Sequence, residues 1–237
     1  DIMTLQVTQS DGVLTLCFDR PQKRNAVDQA TARELLGALN EAEASSEIRV
    51  IVLRGNGEAF CAGRDISSPP TAEMLGLAQK VARAIVRCPK PVLCAVQGWV
   101  VGLGLEWMLA ADVVIAARSA RFKLPEAALG VFVTGGAVAT FARAAGLPRA
   151  RGAMLLGGAI SAELAEQWGL LWAVVDDAVL DTEVTRTAAQ LVALAPDVVR
   201  RFKRVLNDIG LPDFDRAVDL EAQMQKQLEK LQRRGEG

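Results

Sequence analysis

Apolar positions along this chain change their period several times, and each change marks an element. Leu5 to Val7 and Val13 to Phe18 alternate apolar with polar residues and are separated by Asp11-Gly12, which predicts a hairpin. Arg20-Pro21 breaks that alternation. Asp28 can cap a helix running from about Gln29 to Ala44, with apolar residues at Leu35, Leu36, Leu39 and Ala42. Val50-Ile51-Val52-Leu53 and Pro91 to Val96 read as buried strands, and Ala72 to Cys88 between them has helical spacing. Glu106 to Ala111 predicts the body of a short helix and Val113 to Ala116 a strand. Gly135 to Ala145 is Ala-rich and helical, stopped by Gly146 and Pro148. Ser161 to Trp168 is a helix capped by Ser161 and closed by Gly169, and Leu171 to Val175 is a further short strand. From about Thr182 to Leu231 the period is helical, with breaks near Pro196 and Gly210-Leu211-Pro212. Leu220, Met224, Leu228 and Leu231 give its last helix a stripe suited to a neighbouring subunit or to its own core. Only Arg233 to Gly237 reads as a frayed tail.

Strands alternating with helices imply βαβ units and a mostly parallel sheet, hence an α/β fold followed by helices. The division expected is a core over residues 1–180 and a helical segment over 181–237. No internal repeat with a period of about 20–50 residues is visible.

Composition narrows the chemistry more than the fold. The 237 residues are 51% hydrophobic and 23% charged, with a net charge of −1. That charge provides no global field to recruit nucleic acid or an anionic membrane. The longest apolar candidate, Val92 to Val101, is interrupted by Gln97 and Gly98, so no segment of about 20 apolar residues is available to span a bilayer. Asp1-Ile2-Met3-Thr4 shows no secretory pattern, and Cys17, Cys61, Cys88 and Cys94 lack CxxC spacing. Reduced thiols and a cytoplasmic location are expected. Histidine and tyrosine are both absent. Ser-His-Asp and Cys-His triads and His-ligated zinc are therefore excluded, and acid–base work near neutral pH falls to carboxylates, Lys or Cys. No metal site and no separate cofactor is expected.

Two glycine-rich turns follow buried strands. Gly102-Leu103-Gly104-Leu105-Glu106-Trp107 has Trp where a dinucleotide fingerprint needs its third Gly, and GxxxxGK[ST] occurs nowhere. What remains is a turn that presents backbone N–H groups at the positive end of a helix. Phe60-Cys61-Ala62-Gly63-Arg64-Asp65 has the same character. Two such turns at one sheet edge can converge on a single oxygen, each donor contributing about 3 kcal/mol to a transition state. Each also has a plain reading as a tight strand-to-helix turn, with Asp65 as a cap.

These segments resemble the crotonase superfamily, which includes enoyl-CoA hydratases and isomerases. The similarity is carried in order by Phe18-Asp19-Arg20-Pro21 with Arg24-Asn25-Ala26, the Phe60 to Asp65 turn and Lys90-Pro91-Val92 through Gln97-Gly98. Gly102 to Glu106 and Leu124-Pro125-Glu126 with Leu129-Gly130 continue it. Leu156-Gly157-Gly158, Ile160-Ser161-Ala162 and Gly169-Leu170 extend it, so that it covers about residues 3 to 231. The resemblance implies a crotonase-like spiral of ββα units and a C-terminal helical segment that serves trimerisation and covers the active site. The assembly implied is a homotrimer or a dimer of trimers. It implies an acyl-CoA thioester as ligand, coenzyme A being part of the substrate, and an oxyanion hole from the backbone N–H of Arg64 and Leu103. Further substrate contacts are implied for Lys23, Arg24, Ala26, Ala62, Asp65, Ile66, Gly102, Phe132 and Thr134, with Lys203 reaching the CoA phosphates.

Glu106 and Glu126 fall on the positions of the catalytic glutamate pair of hydratases. Each alone is also explained as a first-turn carboxylate favoured by a helix dipole. Hydration of an α,β-unsaturated thioester needs one group to deprotonate water and another to protonate Cα, so a carboxyl pair suits it; two carboxyls sharing one water repel, and one pKa should rise. Departures from the family pattern are Val131-Phe132-Val133-Thr134 after the second glutamate, Thr134 where relatives often present an amide to the water, and the bulk of Trp107 and Phe132. The expected activity is enoyl-CoA hydratase, a lyase of fatty acid metabolism. Double-bond isomerisation, which relies on Glu126 alone, ranks second, ahead of other acyl-CoA reactions and of a non-catalytic or RNA-binding protein of the same fold.

Overall fold

The computed structural model describes residues 3–235. Strands β1 (Leu5–Ser10) and β2 (Val13–Phe18) form the expected hairpin, and β3 (Val50–Gly55), β4 (Val92–Val96), β6 (Val113–Ala117) and β9 (Ala173–Val175) complete a six-stranded sheet in the order β1-β2-β3-β4-β6-β9. Only the β1–β2 pair is antiparallel; every other pair in that sheet is parallel. A second sheet holds β5 (Trp99–Val101), β7 (Arg121–Lys123) and β8 (Ile160–Ser161).

The continuous apolar runs of β3 and β4 follow from cover on both faces. Ile51, Leu53, Val92, Cys94 and Val96 enter the main core, beside α1 (Gln29–Ala44), α2 (Ala72–Arg87) and α3 (Leu103–Ala110). Val50, Val52, Leu93 and Ala95 point the other way, against Leu180, Val184 and Ala188 of α7 (Leu180–Val192). Period-2 geometry thus divides one run between two layers.

A single plan repeats along the chain. A strand in the large sheet is followed by a shorter extended piece in the second layer, then by a helix: β4, β5, α3, and next β6, β7 and α4 (Ala137–Ala145). The β3 turn follows the same plan in reduced form, since Cys61 bridges Val100 and Arg64 bridges Val27. The result is a spiral of ββα turns with α7, α8 (Pro196–Gly210) and α9 (Phe214–Arg234) at its C-terminal end.

The caps match their sequence signals. The carboxylate of Asp28 accepts the Thr31 N–H at 2.8 Å and Ser161 Oγ, capping α6 (Ala162–Gln167), accepts the Leu164 N–H at 3.1 Å. Two expectations need correction and one is extended. Gly146 and Pro148 stop one helix but also open another, α5 (Leu147–Leu156), because proline in a first helical turn gives up no hydrogen bond. Helix α3 begins at Leu103, ahead of the body expected from Glu106, directly after Gly102 with φ +55°. Helix α9 continues through Arg234, into the expected tail, while Glu236 and Gly237, like Asp1 and Ile2, lie outside the described residues.

Candidate functional site

The repeated plan gathers residues that are distant in sequence. Cys61 pairs with β5, and β5 pairs with β7, all parallel, at a spacing of about 4.8 Å between neighbours. The chain leaves each of these pieces on the same side, through Ala62–Asp65, Gly102–Leu103 and Pro125–Glu126. A methyl group on Gly63 would lie 2.8 Å from the Val101 carbonyl oxygen and 3.4 Å from the Leu103 nitrogen, so the first two turns abut. A methyl group on Gly102 would lie 2.9 Å from Glu126 Oε1, so the third turn brings its carboxylate against the second. Side chains larger than hydrogen at Gly102 would displace that carboxylate, and φ +55° disfavours them independently.

One cavity takes its walls from Ala62, Arg64, Ile66, Gly102, Leu103, Glu106, Glu126, Phe132 and Thr134, with Met74, Leu75 and Ala78 of α2 and Gln225 of α9. Among the described residues neither the Arg64 nor the Leu103 N–H donates to a protein acceptor. The Leu103 amide is the first of α3 and lacks an intrahelical partner by construction of the helix. The Leu103 side chain is 5% exposed and packs into the core, leaving its amide clear.

Glu106 is 1% exposed. Its Oε1 accepts the N–H of Thr134 at 3.1 Å and of Gly135 at 2.7 Å. Burial, then the charges of Glu221 and Glu126, push its pKa well above the ordinary carboxylate range, against the pull of those two amides. Glu126 is raised by burial to about 7, and its Oε2 is buried with no hydrogen-bond partner. No Lys or Arg among the described residues forms an ion pair with either glutamate or with Glu221. Three carboxyls without a cation cannot all ionise together, so the cluster retains protons near neutral pH. Cysteine chemistry is set aside by the same physics, since burial pushes the Cys61 thiol up to about 12.

Other expected site residues stand elsewhere. Lys23 and Arg24 are exposed and Ala26 half-buried, on a segment that runs beside the Ala62–Asp65 turn through the Ala62 N–H to Arg24 O (2.9 Å) and Val27 N–H to Gly63 O (2.8 Å) bonds. Asp65 does not line the cavity. It pairs with Arg20 at 3.0 Å and accepts the Ser67 N–H, and these hydrogen bonds lower its pKa to about 2. Lys203 is not brought to the cavity at all. Its ammonium is buried, 2.7 Å from Asp112 Oδ2, and donates to the carbonyls of Ile85 and Lys90, which uses all three of its donors. These partners occupy the donors that the expected CoA-phosphate contact would use. The Thr134 amide donates to Glu106, and Trp107 adds no bulk to the cavity: it stacks on Phe18 and donates to the Ala78 carbonyl.

The residues missed by sequence reasoning are Glu221, Gln225 and Asn25. Asn25, within the Arg24-Asn25-Ala26 motif, is 1% exposed and ties the Arg20 amide to the carbonyls of Asn56 and Ala59. It holds the turn that flanks the cavity. Nothing in a helical stripe marks Glu221 as buried, since its surroundings come from α4.

A family description, enoyl-CoA hydratase/isomerase, matches residues 8–237. The 1,2-epoxyphenylacetyl-CoA isomerase of Escherichia coli strain K12 is 35% identical over 225 residues, spanning 91% of this chain and 86% of that protein. The probable enoyl-CoA hydratase of Rhodobacter capsulatus is 38% identical over 195 residues, 79% of this chain and 75% of its own length. The crystal structure of an enoyl-CoA hydratase from Mycobacterium avium subsp. paratuberculosis K-10 superposes with a TM-score of 0.93 at 32% identity, covering 97% of this chain and 95% of that one.

Proposed function

The chain belongs to the enoyl-CoA hydratase/isomerase family, and on that premise we propose that it adds water across the double bond of a 2-enoyl-CoA. The thioester carbonyl accepts the N–H groups of Arg64 and Leu103. As one carboxylate takes a proton from water and the oxygen adds to Cβ, electrons move onto the thioester oxygen. A neighbouring carboxylic acid then returns a proton to Cα, giving a 3-hydroxyacyl-CoA with the glutamates' charge restored. The observation that carries this reading is the unpartnered, buried oxygen of Glu126 beside the Leu103 turn, in one cavity with Glu106. The raised pKa values support it, because a proton held near neutral pH is what the acid step needs. Exposed Lys23 and Arg24 beside the first turn suit the nucleotide arm of coenzyme A.

Incubation with crotonyl-CoA tests the reading: absorbance of the conjugated thioester should fall and 3-hydroxybutyryl-CoA should appear. Absence of turnover across a series of 2-enoyl chain lengths overturns it.

A second reading has its own support. Both amides of Thr134 and Gly135 engage Glu106, which leaves Glu126 as the freer carboxylate, and proton shuttling by Glu126 alone suits double-bond isomerisation. Conversion of a 3-enoyl-CoA that survives Glu106→Gln but not Glu126→Gln would establish it over hydration.

We further propose assembly as a homotrimer or a dimer of trimers, supported by the apolar outer face of α8. Val198, Phe202, Val205, Leu206 and Ile209 are each 52% to 72% exposed there.

A further inference from the structure

Helix α9 holds the chain segment between Phe132 and Val138 at two places one helical turn apart. The Glu221 side chain, buried completely, accepts the Gly136 N–H at 2.7 Å and the Val138 N–H at 3.4 Å. Gln225 Oε1 accepts the Phe132 N–H at 2.8 Å. Between these anchors, the amides of Thr134 and Gly135 turn the opposite way and hold Glu106. One short segment, running into the first turn of α4, therefore hands its N–H groups alternately to α9 and to a glutamate of the cavity. The Thr134 and Gly135 amides are thus flanked on both sides by bonds to α9.

Capping the start of α4 does not by itself call for this arrangement. A local Ser, Thr, Asn or Asp caps a helix, whereas here a glutamate reaches in from another helix. A buried carboxyl without a cation partner costs several kcal/mol if it ionises. Glu221 has no ion-pair partner among the described residues, and burial pushes its pKa up to about 7. Expensive polar groups of this kind concentrate at functional sites. The second anchor, Gln225, itself lines the cavity.

We propose that Glu221 and Gln225 are positioning residues for Glu106, fixing the segment 132–138 so that its Thr134 and Gly135 amides set the place and direction of the Glu106 carboxyl. The proposal rests on the reading of Glu106 as one member of the proton-transferring pair. It assigns to the C-terminal helix a part in the chemistry that acts through Glu106.

A double-mutant cycle between positions 106 and 221 tests it, with Gln225→Leu as an independent second variant. Glu221→Gln keeps the shape and one acceptor oxygen. Its kcat should fall about tenfold or more with KM changed less than about threefold, as expected when a reacting group is misplaced by a fraction of an ångström. In the Glu106→Gln background the same substitution should change kcat less than about twofold, because its effect is transmitted through Glu106. The pH profile of kcat should also move toward lower pH in Glu221→Gln, since one like charge beside Glu106 is gone. Equal losses in both backgrounds, or an unmoved pH profile, overturn the proposal; if Glu106→Gln turns over too slowly to measure, the profile decides. Gln225→Leu should reproduce the kcat loss without the pH shift, and wild-type kcat in that variant removes Gln225 from the assignment. Wild-type enzyme that turns over no enoyl-CoA overturns the parent reading and this one with it, whereas turnover with additive losses overturns this one alone.

Discussion

Glu126 stands apart among the described ionisable residues because one of its carboxyl oxygens is buried and has no partner. Replacement by Gln should lower kcat by about 10²–10⁴-fold in either reaction under consideration, with KM little changed, as measured by steady-state kinetics on enoyl-CoA substrates. The raised carboxyls also predict how stability depends on pH. Glu126 and Glu221 each have a pKa of about 7 in the folded chain against an ordinary 4.5, so the folded form binds more protons than the unfolded form between those values. Their contribution is complete below about pH 4.5 and is lost as pH rises through about 7. Melting temperature should therefore fall between pH 5 and pH 8, by about 2–4 °C for each kcal/mol lost, and Glu221→Gln should flatten that slope. A melting temperature that rises over this range would contradict the burial of both carboxyls. Of these two residues, Glu126 was legible in the sequence through its place after Leu124-Pro125. Glu221 was not, because a glutamate in an amphipathic helix looks like any solvated one until the helix that it caps is placed over it.

Elements with strong local signals followed their sequence patterns. Asp28, Ser161 and the apolar runs of β3 and β4 act through neighbours three or four residues away, or through burial that a run of Val and Ile already declares. Where two local signals compete, the pattern is silent. Gly146 and Pro148 ended one helix convincingly, yet the same proline sits in the first turn of the next. Helix α8 shows the limit most plainly. Its inward residue is Lys203, paired to Asp112, while its apolar side chains face outward. Lys203→Ala should destabilise the chain by about 1–3 kcal/mol, because the carbonyls of Ile85 and Lys90 lose the ammonium that satisfies them, seen in denaturant unfolding. KM for CoA substrates should stay within about twofold of wild type provided that the variant is assayed below its unfolding transition. A large rise in KM without loss of stability would restore Lys203 to the phosphate contact.

At the scale of the whole molecule, the outward apolar face of α8 predicts self-association. Size-exclusion chromatography with light scattering should give a mass of three or six chains, and Phe202→Asp should shift it toward the 25.3 kDa monomer. A wild-type monomer would exclude the trimer. No helix among the described residues is long and apolar enough to cross a membrane. The sequence by itself determined the α/β class, the elements with clear caps or apolar runs, the absence of histidine and tyrosine chemistry, and which glutamates to consider. Each of these depends on residue identity or on contacts within a few positions. Tertiary structure alone decided that Arg64, Leu103 and Glu126 leave one small sheet side by side, that Lys203 is occupied elsewhere, and that α9 reaches the loop holding Glu106. Those relations depend on pairings between strands and helices tens of residues apart, whose register no local pattern encodes.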